Sequence, residues 1–109
     1  MEIRVSGKHV DIGQALAEHV QNALPPAIEK YFDRGAEVNV VFVKERNGFR
    51  ADCTTHLSSG TSFQAHGVAE DPYHAFGEAL ERLEKQVRRY MRRIKNHHDR
   101  SEAENLSGS

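Results

Sequence analysis

The segment from Arg82 to Lys95 has the pattern of an amphipathic helix with one strongly cationic face. It holds seven bases and a single acid, Glu84, which gives it a charge of +6 in a chain whose net charge is −1. Apolar residues recur along the same stretch at steps of three and four, namely Leu80, Leu83, Val87, Tyr90 and Ile94. Such a helix docks its apolar stripe on a core and leaves its basic face to solvent or to an anion.

Four of these bases fall in one narrow band of the predicted helix. At about 100° per residue, Arg82, Lys85, Arg89 and Arg93 follow one another about one turn apart, roughly 5 Å along the axis. A basic row of this kind suits a phosphate backbone. The alternative is a solvated face, on which acids precede bases because both complement the helix dipole. A solvated face normally mixes both signs, and the pattern leaves both interpretations open.

Length and charge distribution limit the class of protein. The 109 residues suit one domain with a single modest core. Residues 1–81 hold 7 bases and 12 acids, and residues 82–109 hold 8 bases and 4 acids, so the chain is dipolar and would meet a polyanion with one face. The sequence shows no secretory signal and no apolar run long enough to span a membrane, which predicts a cytoplasmic protein with no membrane partner.

Apolar periodicity predicts the element order β-α-β-β-β-α. Strands are expected around residues 2–6, with a turn at 6–9, and over residues 36–44, 49–57 and 61–68. A hairpin-rich antiparallel sheet of this kind needs its two helices on one face, with the other face wet. The predicted fold class is therefore α+β, a two-layer sandwich of a four-stranded sheet with two helices on one face.

Prolines and caps mark the expected ends of the helices. Pro25 and Pro26 lack amide protons, so we expect a break or kink that divides the first helix into two pieces. The second helix begins with Asp71 as N-cap and Pro72 at the first helical position. Polar composition then predicts a domain over residues 1–96 and a flexible polar tail, or the start of a linker, over residues 97–109.

No set of residues has the spacing of a catalytic or cofactor site. The chain lacks a Gly-rich phosphate loop, a nucleophile elbow and paired metal ligands, so we predict no enzyme activity, no cofactor and no small-molecule substrate. The seven histidines lie on different predicted elements without the spacing of a two-His site, and no metal site is predicted. The single Cys53 faces inward on a strand and is interpreted as a buried apolar filler.

The chain also carries four short segments in a recognisable order: GKHVDI at 7–12, KERNGFRAD at 44–52, DPYHA at 71–75 and RLEKQ at 82–86. With these segments in register, residues 1–95 resemble the bacterial ribosome hibernation-promoting factors and ribosome-associated inhibitors. The resemblance implies a fold similar to double-stranded RNA-binding domains. It also implies binding to the small ribosomal subunit where messenger RNA and the anticodon ends of transfer RNAs would lie, so that idle ribosomes are silenced.

The resemblance assigns ribosomal RNA contacts to the basic helix and to one position after the first strand. The RNA-binding candidates are Lys8, Arg82, Lys85, Arg88, Arg89, Arg92 and Arg93, of which Arg88 and Arg92 rest on charge alone. Tyr73 matches an aromatic residue of the motif, and we favour a packing role for it. Gly77 and the Pro25-Pro26 pair depart from what relatives tend to carry, and neither touches the basic row.

The predicted function is that of a noncatalytic inhibitor of translation bound to the small ribosomal subunit. A general double-stranded RNA-binding module is the first alternative, and it predicts similar affinity for any duplex longer than about 16 base pairs. A small protein-interaction domain is the second, and it predicts a flat salt dependence of binding. Long members of the family add a C-terminal dimerisation domain, which we expect as a further partner if this chain is a fragment of a long form.

Overall fold

The computed structural model describes residues 1–32 and 35–108, with side chains described as far as Lys95. The predicted order β-α-β-β-β-α and the α+β class are confirmed. In chain order the elements are β1 (Glu2–Lys8), α1 (Gln14–Ile28), a 3₁₀ helix (Glu29–Tyr31), β2 (Glu37–Glu45), β3 (Gly48–His56), β4 (Ser62–Ala69) and α2 (Pro72–Gly108).

The four strands form one mixed sheet in the order β1-β2-β3-β4. The two hairpins β2-β3 and β3-β4 are antiparallel, as predicted. The first strand differs, because β1 pairs in parallel with β2, from Glu2 opposite Glu37 to Lys8 opposite Val43. The expectation of a wholly antiparallel sheet is therefore wrong for β1, and α1 supplies the crossover that a parallel connection requires.

One face of the sheet forms the core with both helices. Alternate strand residues point into it because successive side chains of a strand lie on opposite faces. The buried strand residues are Val38, Val40, Phe42, Ala51, Cys53, Thr55, Phe63 and Ala65. The buried helix residues are Leu16, Val20, Leu24, Ile28, Ala75, Phe76, Ala79, Leu83 and Val87. The inward orientation predicted for Cys53 is thereby confirmed.

The first strand runs through the turn predicted at residues 6–9. It continues to Lys8 because β2 offers a pairing partner along this whole length. The chain reverses only at His9, whose φ of 61° lies in the left-handed region. A Cβ at Gly7 would lie 2.2 Å from the carbonyl oxygen of Val10, so the fold back after β1 requires glycine there.

The first helix does not break at Pro25 and Pro26, so the expectation of two separate pieces is wrong. The α-helix continues to Ile28 and becomes a 3₁₀ helix only from Glu29. Each proline removes one amide donor. Leu24 and Ile28 flank the pair, and both are fully buried, so tertiary packing holds the helix together across the missing hydrogen bonds.

The second helix begins at Pro72, and Asp71 is its N-cap, as predicted. The carboxylate of Asp71 accepts a hydrogen bond from the backbone N–H of His74 at 3.0 Å. The apolar stripe is buried as far as Val87, whereas Ile94 is 45% exposed. Helix α2 therefore stops covering the core before it reaches Ile94. Side chains beyond Lys95 lie outside the described residues, and the predicted polar tail over residues 97–109 remains a prediction.

None of the described helices has the length and apolar content needed to cross a membrane.

Candidate nucleic-acid interface

Helix α2 lies along the edge strand β4 and is tied to it by side chains one helical turn apart. Arg82 donates to the backbone carbonyl of His66 at 2.8 Å, and Gln86 donates to the carbonyl of Gln64 at 2.9 Å. One turn further on, the Tyr90 hydroxyl lies 3.0 Å from the hydroxyl of Thr61. Four helix residues rise about 6 Å and two strand residues about 6.7 Å, so Arg82 and Gln86, one turn apart, reach alternate residues of β4. Thr61 lies just before the start of β4.

These contacts cover an otherwise open edge of the sheet. The outer strand of a sheet presents unpaired backbone groups that can pair with another chain. Arg82 and Gln86 occupy two of these carbonyls on β4. On β1, at the opposite edge, the side-chain amide of Gln21 donates to the carbonyl of Ile3 at 2.9 Å. Arg82 therefore has a structural role in addition to the RNA-binding role predicted for it.

The predicted basic residues fall into two groups along α2. In the first group each base meets a glutamate one turn earlier, and all of these side chains are substantially exposed. The pairs are Arg82 with Glu78 at 2.7 Å, Lys85 with Glu81 at 3.4 Å and Arg88 with Glu84 at 4.0 Å. Exposed pairs of this kind stabilise little, but they reduce the positive potential of this half of the helix.

The second group lies nearer the C-terminal end of the sheet-covering part of α2. Arg89, Arg92 and Arg93 are exposed, and none has a carboxylate partner among the side chains described up to Lys95. We call these three residues the unpaired basic group. Because no acid among the described side chains offsets their charge, the positive potential along α2 is stronger around them than around the three paired bases.

The structure does not bring Lys8 into this row. Lys8 ends β1, at the opposite edge of the sheet from β4, and pairs with Val43. It belongs to the set of β1 residues that alternate with the inward Ile3 and Val5, so its side chain lies on the sheet face that the helices leave uncovered. An anion that contacts both Lys8 and α2 must therefore extend across the width of the sheet.

A shallow groove of about 200 Å³ opens between α2 and β4 beside the unpaired basic group. It is lined by Phe63, Gln86, Arg89, Tyr90 and Arg93. The rings of Phe63 and Tyr90 meet edge to face, with centroids 5.2 Å apart. We refer to this feature as the aromatic groove. Sequence reasoning missed Phe63 and Gln86, although the spacing of Gln86, four residues after Arg82 and four before Tyr90, places it on the same side of the helix.

The N-terminal end of α2 shows capping and packing contacts. The backbone N–H of His74 donates to Asp71 and holds the pKa of that carboxyl below its ordinary value, so Asp71 stays ionised at the helix N-terminus. Tyr73 packs edge to face on the ring of His19, with centroids 5.0 Å apart, while remaining 42% exposed. This contact agrees with the packing role predicted for Tyr73.

Neither the single cysteine nor the metal-ligating residue types form a reactive centre in the described part of the chain. Cys53 is fully buried, and desolvation raises the pKa of its thiol to about 12, with the charge of Asp52 adding to the shift. A thiol held neutral in this way is inert as a nucleophile. Within the described part of the chain, no group of three or more His, Cys, Asp and Glu side chains is placed to hold a metal ion.

Comparison with known proteins relates this geometry to a family. Residues 3–95 match the family described as "Sigma 54 modulation protein / S30EA ribosomal protein". A ribosome hibernation promotion factor of Rhizobium meliloti is 43% identical over 99 residues, which cover 91% of this chain and 52% of the relative. A ribosome hibernation promoting factor of Escherichia coli K12 is 31% identical over 97 residues, covering 89% of this chain and all of the relative. The chain thus spans about half the length of the Rhizobium relative.

The fold agrees with that of a solved relative. The Protein Y N-terminal domain of Thermus thermophilus superposes with a TM-score of 0.72 at 27% sequence identity, over 83% of this chain and 99% of that domain. The resemblance in the short segments GKHVDI, KERNGFRAD, DPYHA and RLEKQ is therefore accompanied by similarity along almost the whole described domain.

Proposed function

Because the chain belongs to the sigma 54 modulation protein and S30EA ribosomal protein family, we propose that it is a ribosome hibernation factor that binds the small ribosomal subunit and inhibits translation. It acts by occupying the channel of messenger RNA and transfer RNA in idle ribosomes. The action is noncatalytic and takes place in the cytoplasm, where the ribosomes are.

The unpaired basic group carries this proposal. Arg89, Arg92 and Arg93 project from one rigid helix without carboxylate partners among the described side chains, while the rest of the molecule has an excess of acids. Ribosomal RNA offers phosphates in fixed, irregular positions, and cations on a rigid element can match such positions without losing much conformational freedom. Arg82, Lys85 and Arg88 add contacts once phosphates compete with their glutamate partners.

Inhibition then follows from steric exclusion. A domain of this size fills the space of a nucleic-acid segment, and the free energy of binding comes chiefly from phosphate neutralisation and release of counterions. Lys8 lies at the far edge of the sheet. The RNA contact predicted for Lys8 extends the RNA-binding surface beyond α2 and involves a different segment of RNA.

Cosedimentation with purified small ribosomal subunits over a salt series tests the proposal. We expect tight binding that weakens steeply with salt and that is abolished when messenger RNA and initiator transfer RNA are already bound. Binding unaffected by those ligands would rule out the channel. Gel shifts with a plain RNA duplex provide the matched comparison, since equal affinity for the duplex and the subunit would instead indicate a general double-stranded RNA-binding module.

A further inference from the structure

The aromatic groove combines two cations of the basic row with two chemical features that the row alone does not have. Arg89 and Arg93 flank it with two guanidinium groups that have no acidic partner among the described side chains. Tyr90, which is half-buried, supplies an aromatic wall, and Phe63, which is only 9% exposed, closes the floor. Gln86 borders it with a side-chain amide whose nitrogen is already used on β4, so its oxygen remains to accept a hydrogen bond.

The walls of the groove are held in place before any ligand arrives. The ring of Phe63 stacks on Phe32 behind it, at 6.4 Å and 20° between planes. Tyr90 is fixed through its hydroxyl, 3.0 Å from that of Thr61, and through its edge contact with Phe63. Gln86 is fixed by its bond to the carbonyl of Gln64. A ligand therefore meets a preformed surface and orders few side chains on binding.

From these features we infer that the aromatic groove is a binding site for one unstacked nucleotide, with the base against the ring of Tyr90 over the nearly buried Phe63 and the phosphate between Arg89 and Arg93. Unpaired bases are commonly recognised by stacking on aromatic rings and by hydrogen bonds to their edges. Guanidinium groups bind phosphate through paired N–H donors. The oxygen of Gln86 is placed to accept a hydrogen bond from an amino or imino group of the base.

The size of the groove limits the ligand. Its volume of about 200 Å³ is below the roughly 300–1,000 Å³ of sites that enclose a whole drug-sized molecule. It suits one ring system with its phosphate lying outside at the rim. The nucleotide can belong to a single-stranded stretch of RNA or be a free mononucleotide, because both present the same base and phosphate. The RNA case rests on the proposed function and specifies that the RNA bound beside α2 includes an unpaired nucleotide.

Fluorescence anisotropy with the full chain tests this site at low salt. The probes are a short labelled single-stranded RNA and the same sugar–phosphate chain without its bases. For the unaltered protein we expect the chain without bases to bind at least about tenfold more weakly, within the range that base–aromatic stacking contributes. Equal binding of the two probes would overturn the site, because phosphate contacts alone would then explain the affinity. Addition of adenosine monophosphate distinguishes the sources: displacement of the RNA at millimolar concentration assigns the site to a free nucleotide, and no displacement assigns it to RNA.

Two variants test whether the base is bound in the aromatic groove. Tyr90→Leu removes one aromatic wall and should make the two probes bind alike, with thermal unfolding used to confirm that the variant is folded. The double variant Arg88→Gln, Arg92→Gln removes two charges from the other flank of the helix, so it should weaken both probes equally and keep the tenfold ratio. The base would bind outside the aromatic groove if this control lost the tenfold ratio between the affinities of the two probes. The same conclusion would follow if Tyr90→Leu kept that ratio.

Cosedimentation with small ribosomal subunits separates this inference from the proposed function. If the unaltered protein pellets with the subunits but binds both probes equally, only the nucleotide site fails. If it does not pellet at any salt concentration, the proposed function fails, and the probe ratio then decides whether the groove binds nucleotides independently of ribosomes.

Discussion

Thr55 is the one buried polar side chain among the described residues, and its hydroxyl has no hydrogen-bond partner. It faces inward because it follows Ala51 and Cys53 at steps of two on β3 and so shares their face, and its strand neighbours are Val38 and Phe63. An unsatisfied buried hydroxyl lowers stability because it has lost its hydrogen bonds to water. The period of two along β3 accounts for the inward position of Thr55, but no local pattern reveals that its hydroxyl is left without a partner.

We expect Thr55→Val to raise the free energy of unfolding by about 1 kcal/mol, because it removes the unsatisfied hydroxyl and keeps the branched shape. Urea denaturation measures the change. Thr54→Val is the matched control, since Thr54 lies on the other face of the same strand and the same substitution there should change stability by less than about 0.5 kcal/mol. Destabilisation by Thr55→Val would mean that the hydroxyl is hydrogen-bonded in solution.

Cys53 gives the protein a defined dependence on alkaline pH. Burial raises the pKa of the thiol from 9.0 to about 12 in the folded state, so between these values the unfolded chain loses a proton that the folded protein keeps. Stability from this group is therefore complete below pH 9 and falls by up to about 1.4 kcal/mol per pH unit above it. Denaturation of the wild type and of Cys53→Ala from pH 7 to 11 should show curves that converge above pH 9. If the stability of the two proteins changed equally with pH, the buried thiol of Cys53 would not be held neutral in the folded state.

Helix α2 approaches β4 most closely where the strand carries Gly67. A Cβ at this position would lie 2.3 Å from the carbonyl oxygen of Ala75 and 2.6 Å from the amide nitrogen of Ala79. Both obstacles are backbone atoms of the helix, so they cannot move aside without shifting α2. This close approach sets the position from which Arg82 and Gln86 reach the carbonyls of β4.

A matched pair of glycine substitutions tests this crossing. Gly67→Ala should lower the free energy of unfolding by about 1–3 kcal/mol because it forces the helix off the strand. Gly77→Ala should raise it by up to about 1 kcal/mol, since nothing lies within 4 Å of a Cβ there and alanine is the better helix former. Thermal and urea unfolding give both values, and a stable Gly67→Ala variant would show that the packing of α2 on β4 adjusts easily.

Sequence patterns predict the elements better than the contacts between them. Asp71 and Pro72 locate the start of α2 because capping chemistry acts within one turn. The continuation of α1 through Pro25 and Pro26 was not predictable locally, since it depends on the burial of the residues beside the prolines in a core made by distant strands. The same holds for the aromatic groove, which joins Phe63 of β4 to Tyr90 of α2 and exists only because the two elements lie in register.

Exposed basic residues lie at both ends of the domain, and the two sets are far apart. The β2-β3 turn, with the exposed Lys44 and Arg46, lies at one end of the sheet. The helix runs antiparallel to β4, so the unpaired basic group lies towards the other end, near Thr61. A pair of basic residues can therefore be substituted at either end, and the two substitutions change the net charge of the protein by the same amount.

Reversing Arg89 and Arg93 to Glu should lower the affinity for small ribosomal subunits at least tenfold without changing the melting temperature, because neither residue has an acidic partner among the described side chains. Loss of two phosphate contacts should also reduce the slope of log affinity against log salt by about 1.5. Lys44→Glu with Arg46→Glu makes the same change in net charge at the opposite end. Equal losses from both double variants would mean that overall charge, and not the unpaired basic group, determines binding.

The parallel pairing of β1 with β2 also determines how the chain can fold as it is synthesised. The hairpins β2-β3 and β3-β4 join neighbouring segments, whereas Glu2 must wait for Glu37 to emerge before it has a partner. Contacts between distant segments form late because loop closure has to come first. The first strand thus leaves the ribosome before its partner and is among the last to find its place, and until then the edge of β2 is open to other nascent chains.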